Sequence, residues 1–139
     1  KGCTLSNEWV VSPASGVIAR TGVGIVVLDL DGDGNEWTGW NILMLHVAEF
    51  ERVVVGTQVN AGDKIGHPSC EGGISTGTHV HIARKYNGEW VLADGPIPFT
   101  LDGYVAHNGE AIYKGTLTQG NEVITASTSS SAETRIQRP

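Results

Sequence analysis

Glycine interrupts this chain at short intervals and limits what the chain can fold into. Of the 139 residues, 19 are glycine, and the apolar runs between them are short. The clearest case is Val59–Gly66, which follows the pattern Val-x-x-Gly-x-x-Ile-Gly. Runs of about four to eight residues are typical of strands, whereas helices need about ten or more. The pattern predicts an all-β fold, a small, mainly antiparallel sandwich or barrel with sharp turns.

Apolar runs also predict where the strands lie. The run 25–28 is apolar on both faces, so we expect a central strand, and 40–47 is typical of a second buried strand. With only a loop between them, the two form a predicted antiparallel hairpin. Asn87-Gly88 is a hairpin-turn dipeptide and predicts a second hairpin, between strands 79–86 and 89–92.

The C-terminal part of the chain is less regular. We interpret residues 99–106 as a connecting segment and expect a last hairpin within 113–126. The prediction is a single domain over 1–126, with 93–126 as an extension packed on it. The Ser/Thr-rich stretch 127–139 cannot build a core and is predicted to be a tail, flexible or partner-bound.

Charge and hydropathy argue against two classes of partner. The net charge is −6 and the pI about 5.2, and no basic cluster occurs, so we expect no nucleic-acid binding. No apolar run approaches the roughly 18 residues of a membrane-spanning helix. The sequence begins with Lys1 and has no visible signal peptide, so we expect a processed or partial product.

Two cysteines, Cys3 and Cys70, are present. They could form one disulfide between the N-terminus and a later loop, remain free thiols, or bind zinc. No C-x-x-C occurs, which argues against a structural zinc site. We expect the disulfide, and with it an extracellular or cell-envelope location.

Histidines provide the strongest sign of chemistry. His79 and His81 lie in a β-branched run behind a Gly/Ser/Thr loop. On a strand they point to the same face, about 7 Å apart, so that one ring could bind a metal and the other a metal-bound water. His46 ends another apolar run. Together the three predict a metal-assisted hydrolase, whereas His67 and His107 are interpreted as loop residues.

An acidic loop is the second candidate site. Asp29, Asp31 and Asp33, followed by Gly34, match the opening of a calcium-binding loop. Trp40 stands where such a loop has its bidentate glutamate, and the flanking runs predict strands instead of helices. The alternatives are a calcium site and an acidic hairpin loop rich in turn-forming residues.

Several motifs resemble the M23 family of zinc metallopeptidases, which includes lysostaphin-like proteins. The resemblance extends over residues 10–92 in the family's order. Its elements are Gly77 to His81 (the family's G-x-H-x-H), Leu45-His46-Val47 (Y-x-H-L), residues 13–18 (A-x-x-G-x-V) and Val59–Gly66 (V-x-x-G-x-x-I-G).

The resemblance implies a β fold of the duplicated-hybrid-motif type, with a zinc-floored groove that cuts peptidoglycan or glycine-rich peptides. By position His81 is similar to a zinc ligand. His46 and His79 are similar to the catalytic histidines that orient the zinc-bound water and stabilise the oxyanion.

One part of the family's pattern is missing. The other two zinc ligands, a histidine and an aspartate, should precede Pro13, yet residues 1–11 contain neither. A catalytic zinc needs about three protein ligands. The sequence therefore predicts a partial or degenerate cell-wall zinc endopeptidase domain, inactive unless the missing ligands are supplied.

Two alternatives remain open at this stage. The chain could be a non-catalytic secreted protein, either a cell-wall peptide-binding module or a structural subunit that forms a homo-oligomer through its tail or strand edges. It could also resemble a biotinyl or lipoyl carrier. Lys64, however, lies between Asp63 and Ile65 and lacks the Met-Lys-Met-like turn of such carriers.

Overall fold

The computed structural model describes residues 3–127 and 134–136. The described residues contain no α-helix, and the all-β prediction is confirmed. The chain divides into two compact units, residues 1–90 and 91–139, and each is described by itself. The predicted packing of 93–126 on the rest stays a prediction. Most of the predicted tail, 128–133 and 137–139, lies outside the described residues.

The strands are short, as the glycine spacing predicts. Their paired neighbours are antiparallel wherever a register is defined. In the described residues they are β1 (Val10–Val11), β2 (Gly16–Gly22), β3 (Ile25–Asp29), β4 (Trp40–Leu45), β5 (Gln58–Val59), β6 (Lys64–Gly66), β7 (His81–Tyr86), β8 (Glu89–Val91), β9 (Thr100–Leu101), β10 (Tyr104–Asn108), β11 (Gly115–Gln119) and β12 (Glu122–Thr125).

A six-stranded sheet holds the first unit together, in the order β5-β2-β3-β4-β7-β8. Strands β3 and β4 are central and pair from Ile25↔Leu45 to Asp29↔Asn41, which confirms the predicted hairpin. Because both faces of β3 are covered, successive residues Val26, Val27 and Leu28 are all buried. The core cluster also includes Ile18, Ile42, Met44, Val47, Val59 and Ile65.

Strand β7 lies beside β4 and positions the histidine pair. Val80 and Ile82 pack against the core, whereas His79 and His81 are exposed. This alternation confirms that the two histidines share a face. The predicted start of the strand at His79 is wrong: β7 begins at His81, and His79 forms an isolated bridge with Ser69. The loop before β7 therefore pairs with a neighbouring loop before the regular ladder begins.

A four-stranded sheet, ordered β12-β11-β10-β9, forms the second unit. The interpretation of 99–106 as a connecting segment is wrong, because β9 and β10 pair there as a hairpin. Asp102 and Gly103 have φ values of +51° and +83°, which suit a two-residue turn that matches strand twist. The last hairpin is confirmed as β11 and β12.

The N-terminal segment is attached to the loop that precedes β7. Cys3 and Cys70 form a disulfide with a Cα–Cα distance of 5.5 Å, as expected. The Ser6 amide donates to the Pro68 carbonyl at 3.1 Å, and the Thr78 hydroxyl donates to the Thr4 carbonyl. The loop that leads to His79 is thus tied at both ends to the same short segment.

Candidate functional site

His46 is a buried histidine in an uncommon backbone conformation. It follows β4, has a φ of +74° and is 4% exposed. The left-handed region is costly for a residue with a side chain, and such strain persists where surrounding contacts enforce it. Here the enforcing contact is from His46 Nδ1 to the Glu71 carbonyl oxygen, at 2.8 Å.

His79 lies against His46 from the opposite loop. The two ring centroids are 4.6 Å apart. His79 Nδ1 is 2.8 Å from the Gly77 carbonyl oxygen and 3.2 Å from Ser75 Oγ. The structure therefore brings together the two histidines that sequence reasoning assigned to catalysis, although they are 33 positions apart in the chain.

Ser69 is a positioning residue that sequence reasoning missed. Its side chain is buried, its hydroxyl donates to the His46 carbonyl at 3.0 Å, and its amide donates to the same oxygen at 2.7 Å. It also bridges to His79 through the backbone and accepts the Glu71 amide on Oγ at 3.0 Å. The small-residue loop was the only sequence signal for this role, because Ser69 belongs to no catalytic motif.

The hydrogen bonds of both rings define their tautomers. A carbonyl oxygen accepts only, so the Nδ1 of His46 and of His79 must carry the proton. In the neutral ring Nε2 is then unprotonated and can take a proton or bind a metal. When protonated, Nε2 donates a hydrogen bond. This pair is therefore equipped to move protons at Nε2.

His81 occupies the first position of β7, opposite Leu45 of β4. Its side chain is exposed and makes no hydrogen bond or ring contact within 3–127 and 134–136. In that same part of the chain, no histidine belongs to a group of three residues whose potential metal-ligand atoms all lie within 4.8 Å of one another. A catalytic zinc needs three protein ligands and an open position. The described residues do not fit a complete zinc site.

His67 lies in a loop, as the sequence predicts, but its side chain is buried there. It follows β6 and is 5% exposed. Its Nδ1 lies 2.8 Å from the Glu8 carbonyl oxygen and its Nε2 lies 2.8 Å from Glu51 Oε1. Both partners accept, so both nitrogens are protonated when both bonds form. The hydrogen bond that His67 donates to Glu51, and then the one it donates to the Glu8 carbonyl, raise the pKa of His67.

His107 does not lie in a loop, and that interpretation is wrong. It lies within β10, paired with Thr116 of β11, and its Nε2 is 2.9 Å from Thr118 Oγ1. The sequence predicts a loop at this position because Asn108-Gly109 follows it. Pairing with β11 instead extends the strand through Asn108.

A pH dependence of stability follows from His67. Because its folded pKa is raised above 6.5, its contribution to stability is fully present below pH 6.5 and is lost as pH rises through the folded value. Glu51→Gln removes the charged acceptor. We expect the urea midpoint of the unchanged protein to exceed that of Glu51→Gln by more at pH 6 than at pH 9. Glu49→Gln alters an exposed neighbour, and its urea midpoint should differ from that of the unchanged protein by the same amount at both pH values. An equal difference in midpoint at pH 6 and pH 9 for Glu51→Gln would contradict the prediction.

The acidic loop between β3 and β4 brings its three aspartates together. One carboxylate oxygen from each of Asp29, Asp31 and Asp33 lies within 4.8 Å of the others, and this is the group of potential metal ligands found in the described residues. Burial first, and then the neighbouring Asp31 and Asp33, raise the pKa of Asp29 to about 6. Hydrogen bonds from Thr38 and from the Asn35 amide lower the pKa of Asp33 to about 2.

Two surface cavities have linings that do not include the three candidate histidines. One, of about 310 Å³, is bordered by the disulfide and Phe50, and the other, of about 460 Å³, lies in the second unit beside Tyr113 and His107. Neither is lined by His46, His79 or His81, so neither is assigned to their chemistry.

Comparison with known proteins adds evidence on the fold. The sequence matches no protein-family model and no curated protein. Among solved structures it is similar to one described as a novel M23 metalloprotease, pseudoalterin, from the deep sea. The identity is 21%, the match covers 91% of this chain and 74% of that one, and the TM-score is 0.72. The chain has an M23-like fold. At this identity the likeness establishes the fold alone.

Two further observations bear on location. The disulfide between Cys3 and Cys70 is typical of proteins outside the cytoplasm. Over the residues that the structure describes, no helix is both long and apolar enough to cross a membrane.

Proposed function

We propose that this chain is an M23-like domain that acts on peptidoglycan peptides or other glycine-rich peptides outside the cell. The observation that carries the proposal is the contact between His46 and His79, whose rings lie 4.6 Å apart. Both Nδ1 atoms are held by backbone carbonyls, which leaves Nε2 of each ring for chemistry. The M23-like fold and the disulfide support the substrate class and the location.

In this proposal the two rings divide the proton transfers of peptide hydrolysis. One neutral ring accepts a proton at Nε2 from the attacking water. The other, protonated, donates from Nε2 to the carbonyl oxygen on which negative charge develops. As the C–N bond breaks, the accepted proton passes to the leaving amine and the intermediate's hydroxyl returns its proton to the ring that donated it. Water is thereby added across the peptide bond and both rings regain their starting protonation. The fixed tautomers and the buried position of His46 favour this division.

His81 is the one residue to which the proposal gives the role of a zinc ligand. The described residues supply no second and third ligand beside it. The proposal therefore derives no step from the metal. The same observation favours a second candidate function, a non-catalytic module that binds cell-wall peptides on the surface around His79 and His81.

The test compares hydrolysis and binding with the full chain. Incubated with zinc and cross-linked peptidoglycan, the protein is expected to release new amino groups. His46→Ala and His79→Ala should each reduce the rate by at least about 100-fold, because a positioned general acid or base contributes that much. The control is His107→Ala, which alters an exposed histidine of the second unit. Thermal melts establish that each variant folds.

Three outcomes separate the candidates. The endopeptidase is supported if the release of amino groups depends on His46 and His79 and if the unchanged protein retains zinc that His81→Ala loses. Cosedimentation with peptidoglycan without release supports the binding module. Neither release nor cosedimentation overturns both.

A further inference from the structure

The loop between β3 and β4 has an acidic cluster that is open on one side. Asp29 is the last residue of β3 and is fully buried, whereas Asp31 and Asp33 are exposed. One oxygen of each carboxylate lies within 4.8 Å of the others. Solvent therefore reaches the cluster past Asp31 and Asp33, while Asp29 closes its inner side.

Buried oxygens without a donor lie at this inner side. Asp29 Oδ2 accepts the Gly34 amide at 2.6 Å, but Oδ1 is buried and has no hydrogen-bond partner among the described residues. Asn41, directly opposite Asp29 on β4, also has a buried Oδ1 without a donor. Its amide nitrogen is 3.2 Å from the carbonyl oxygens of Glu36 and Thr38, which establishes which atom is the oxygen. Because a buried acceptor without a partner is costly, two such oxygens on one face indicate a missing positive ligand.

Side-chain cations near this loop are engaged elsewhere. Arg20 Nε donates to Glu36 Oε2 at 2.6 Å, and Lys85 Nζ lies over the rings of Trp37 and Trp90. In residues 3–127 and 134–136, no lysine or arginine forms an ion pair with the three aspartates. Three carboxylates this close repel one another at neutral pH unless a cation neutralises them.

We propose that Asp29, Asp31 and Asp33 bind a calcium ion. Carboxylate and amide oxygens are hard ligands, and calcium accepts six to eight oxygens in flexible geometry. The open side leaves room for water to complete the shell. Magnesium fits less well because it requires a near-ideal octahedron. Since position twelve of the loop is Trp40 and supplies no bidentate carboxylate, we expect a dissociation constant of about 10⁻⁴ M or weaker, the range of extracellular calcium modules.

The site would connect three strands. Asp29 and Asn41 belong to β3 and β4, and the far end of the loop contacts the turn after β7. There the Gly39 amide donates to Asn87 Oδ1 at 2.7 Å, and the Asn87 amide donates to the Gly39 carbonyl at 3.0 Å. Bound calcium therefore stabilises the sheet that supports the histidines. The proposal concerns a site separate from them and does not rest on their proposed chemistry.

Terbium, a luminescent substitute for calcium, tests the site in the full chain. Trp37 lies in the loop and Trp40 directly after it, so excitation of tryptophan should sensitise bound terbium. We expect a saturable signal that calcium displaces and magnesium at ten times the concentration does not. In 10 mM calcium the melting temperature should exceed that in EDTA by about 3 °C or more.

Asp31→Asn provides the decisive comparison. Asp31 is exposed, so the variant should fold, and the loss of one ligand charge should weaken calcium binding by at least about 10-fold. Asp63→Asn is the matched control. Asp31 accepts the turn amide of Asp33, and Asp63 accepts the turn amide of Asn60 at a position away from the loop. His46→Ala should bind calcium normally, which separates this proposal from the enzymatic one. Absence of a saturable signal, equal weakening in both aspartate variants, or equal displacement by magnesium would overturn the proposal.

Discussion

Loss of the disulfide is expected to reduce the free energy of unfolding by about 4 kcal/mol. The bond joins Cys3 to Cys70, 67 positions apart, and a covalent loop of that length restricts the unfolded chain strongly. In the folded state it also holds residues Thr4 and Ser6 against the loop that leads to His79. Cys3→Ser/Cys70→Ser should therefore be less stable than the oxidised protein by at least about a quarter of a typical domain's free energy of unfolding, which is roughly 5–15 kcal/mol.

Urea unfolding of the oxidised protein, the reduced protein and the double variant measures this effect. The reduced protein and the double variant should agree, since both lack the cross-link. A thiol assay on the denatured, unreduced protein is the control, and it should detect no free thiol. Two free thiols, or a loss below about 1 kcal/mol, would contradict the prediction.

Gly24→Ala is expected to be the most damaging single substitution near the site. Gly24 has a φ of +71°, and a Cβ there would lie 2.3 Å from the Glu71 carbonyl oxygen and 2.5 Å from its carbon. The left-handed conformation and the steric conflict should together reduce stability by roughly 2–5 kcal/mol. That carbonyl is the partner of His46 Nδ1, so the substitution also displaces the group that orients the ring.

The comparison with Gly34→Ala isolates the steric part. Gly34 has a similar φ, +74°, but nothing lies within 4 Å of a Cβ at that position. Measured in EDTA, Gly34→Ala should cost only about 1–2 kcal/mol. If the two variants were equally stable, the close approach of Gly24 to Glu71 would have no energetic importance.

Local patterns were sufficient to predict much of the first unit. The hairpin of β3 and β4 follows from two apolar runs around a turn-rich loop. The exposure of His79 and His81 follows from their alternation with Val80 and Ile82. Asn87-Gly88 predicts the turn after β7, and both residues have the positive φ that this turn requires.

Other features depended on contacts that no local pattern encodes. The sequence predicts that His67 lies in a loop, which is confirmed, but not that it is buried there, because its partners Glu8 and Glu51 come from distant positions. The β9–β10 hairpin was missed although Asp102-Gly103 is the same kind of turn signal as Asn87-Gly88, because Pro96 and Pro98 dominated the interpretation of that stretch.

The candidate site divides in the same way. The residue types of His46 and His79 marked them as candidates, but their contact results from the bridge between Ser69 and His79 and from the bonds of Ser69 to His46. These interactions join three separate stretches of chain. Sequence reasoning could name the acids and bases but not the serine and the backbone carbonyls that orient them.

The conformation of His46 has a consequence for attempts to engineer this scaffold. Among the described non-glycine residues with positive φ, it is the buried one. Glycine would adopt that backbone geometry without strain, so a redesign that scored backbone strain alone would select glycine at position 46. That variant would lack the imidazole that contacts His79 and its hydrogen bond to Glu71. Position 46 therefore marks where backbone strain and the proposed chemistry make opposite demands on this chain, and it should be exempted from any library guided by backbone strain.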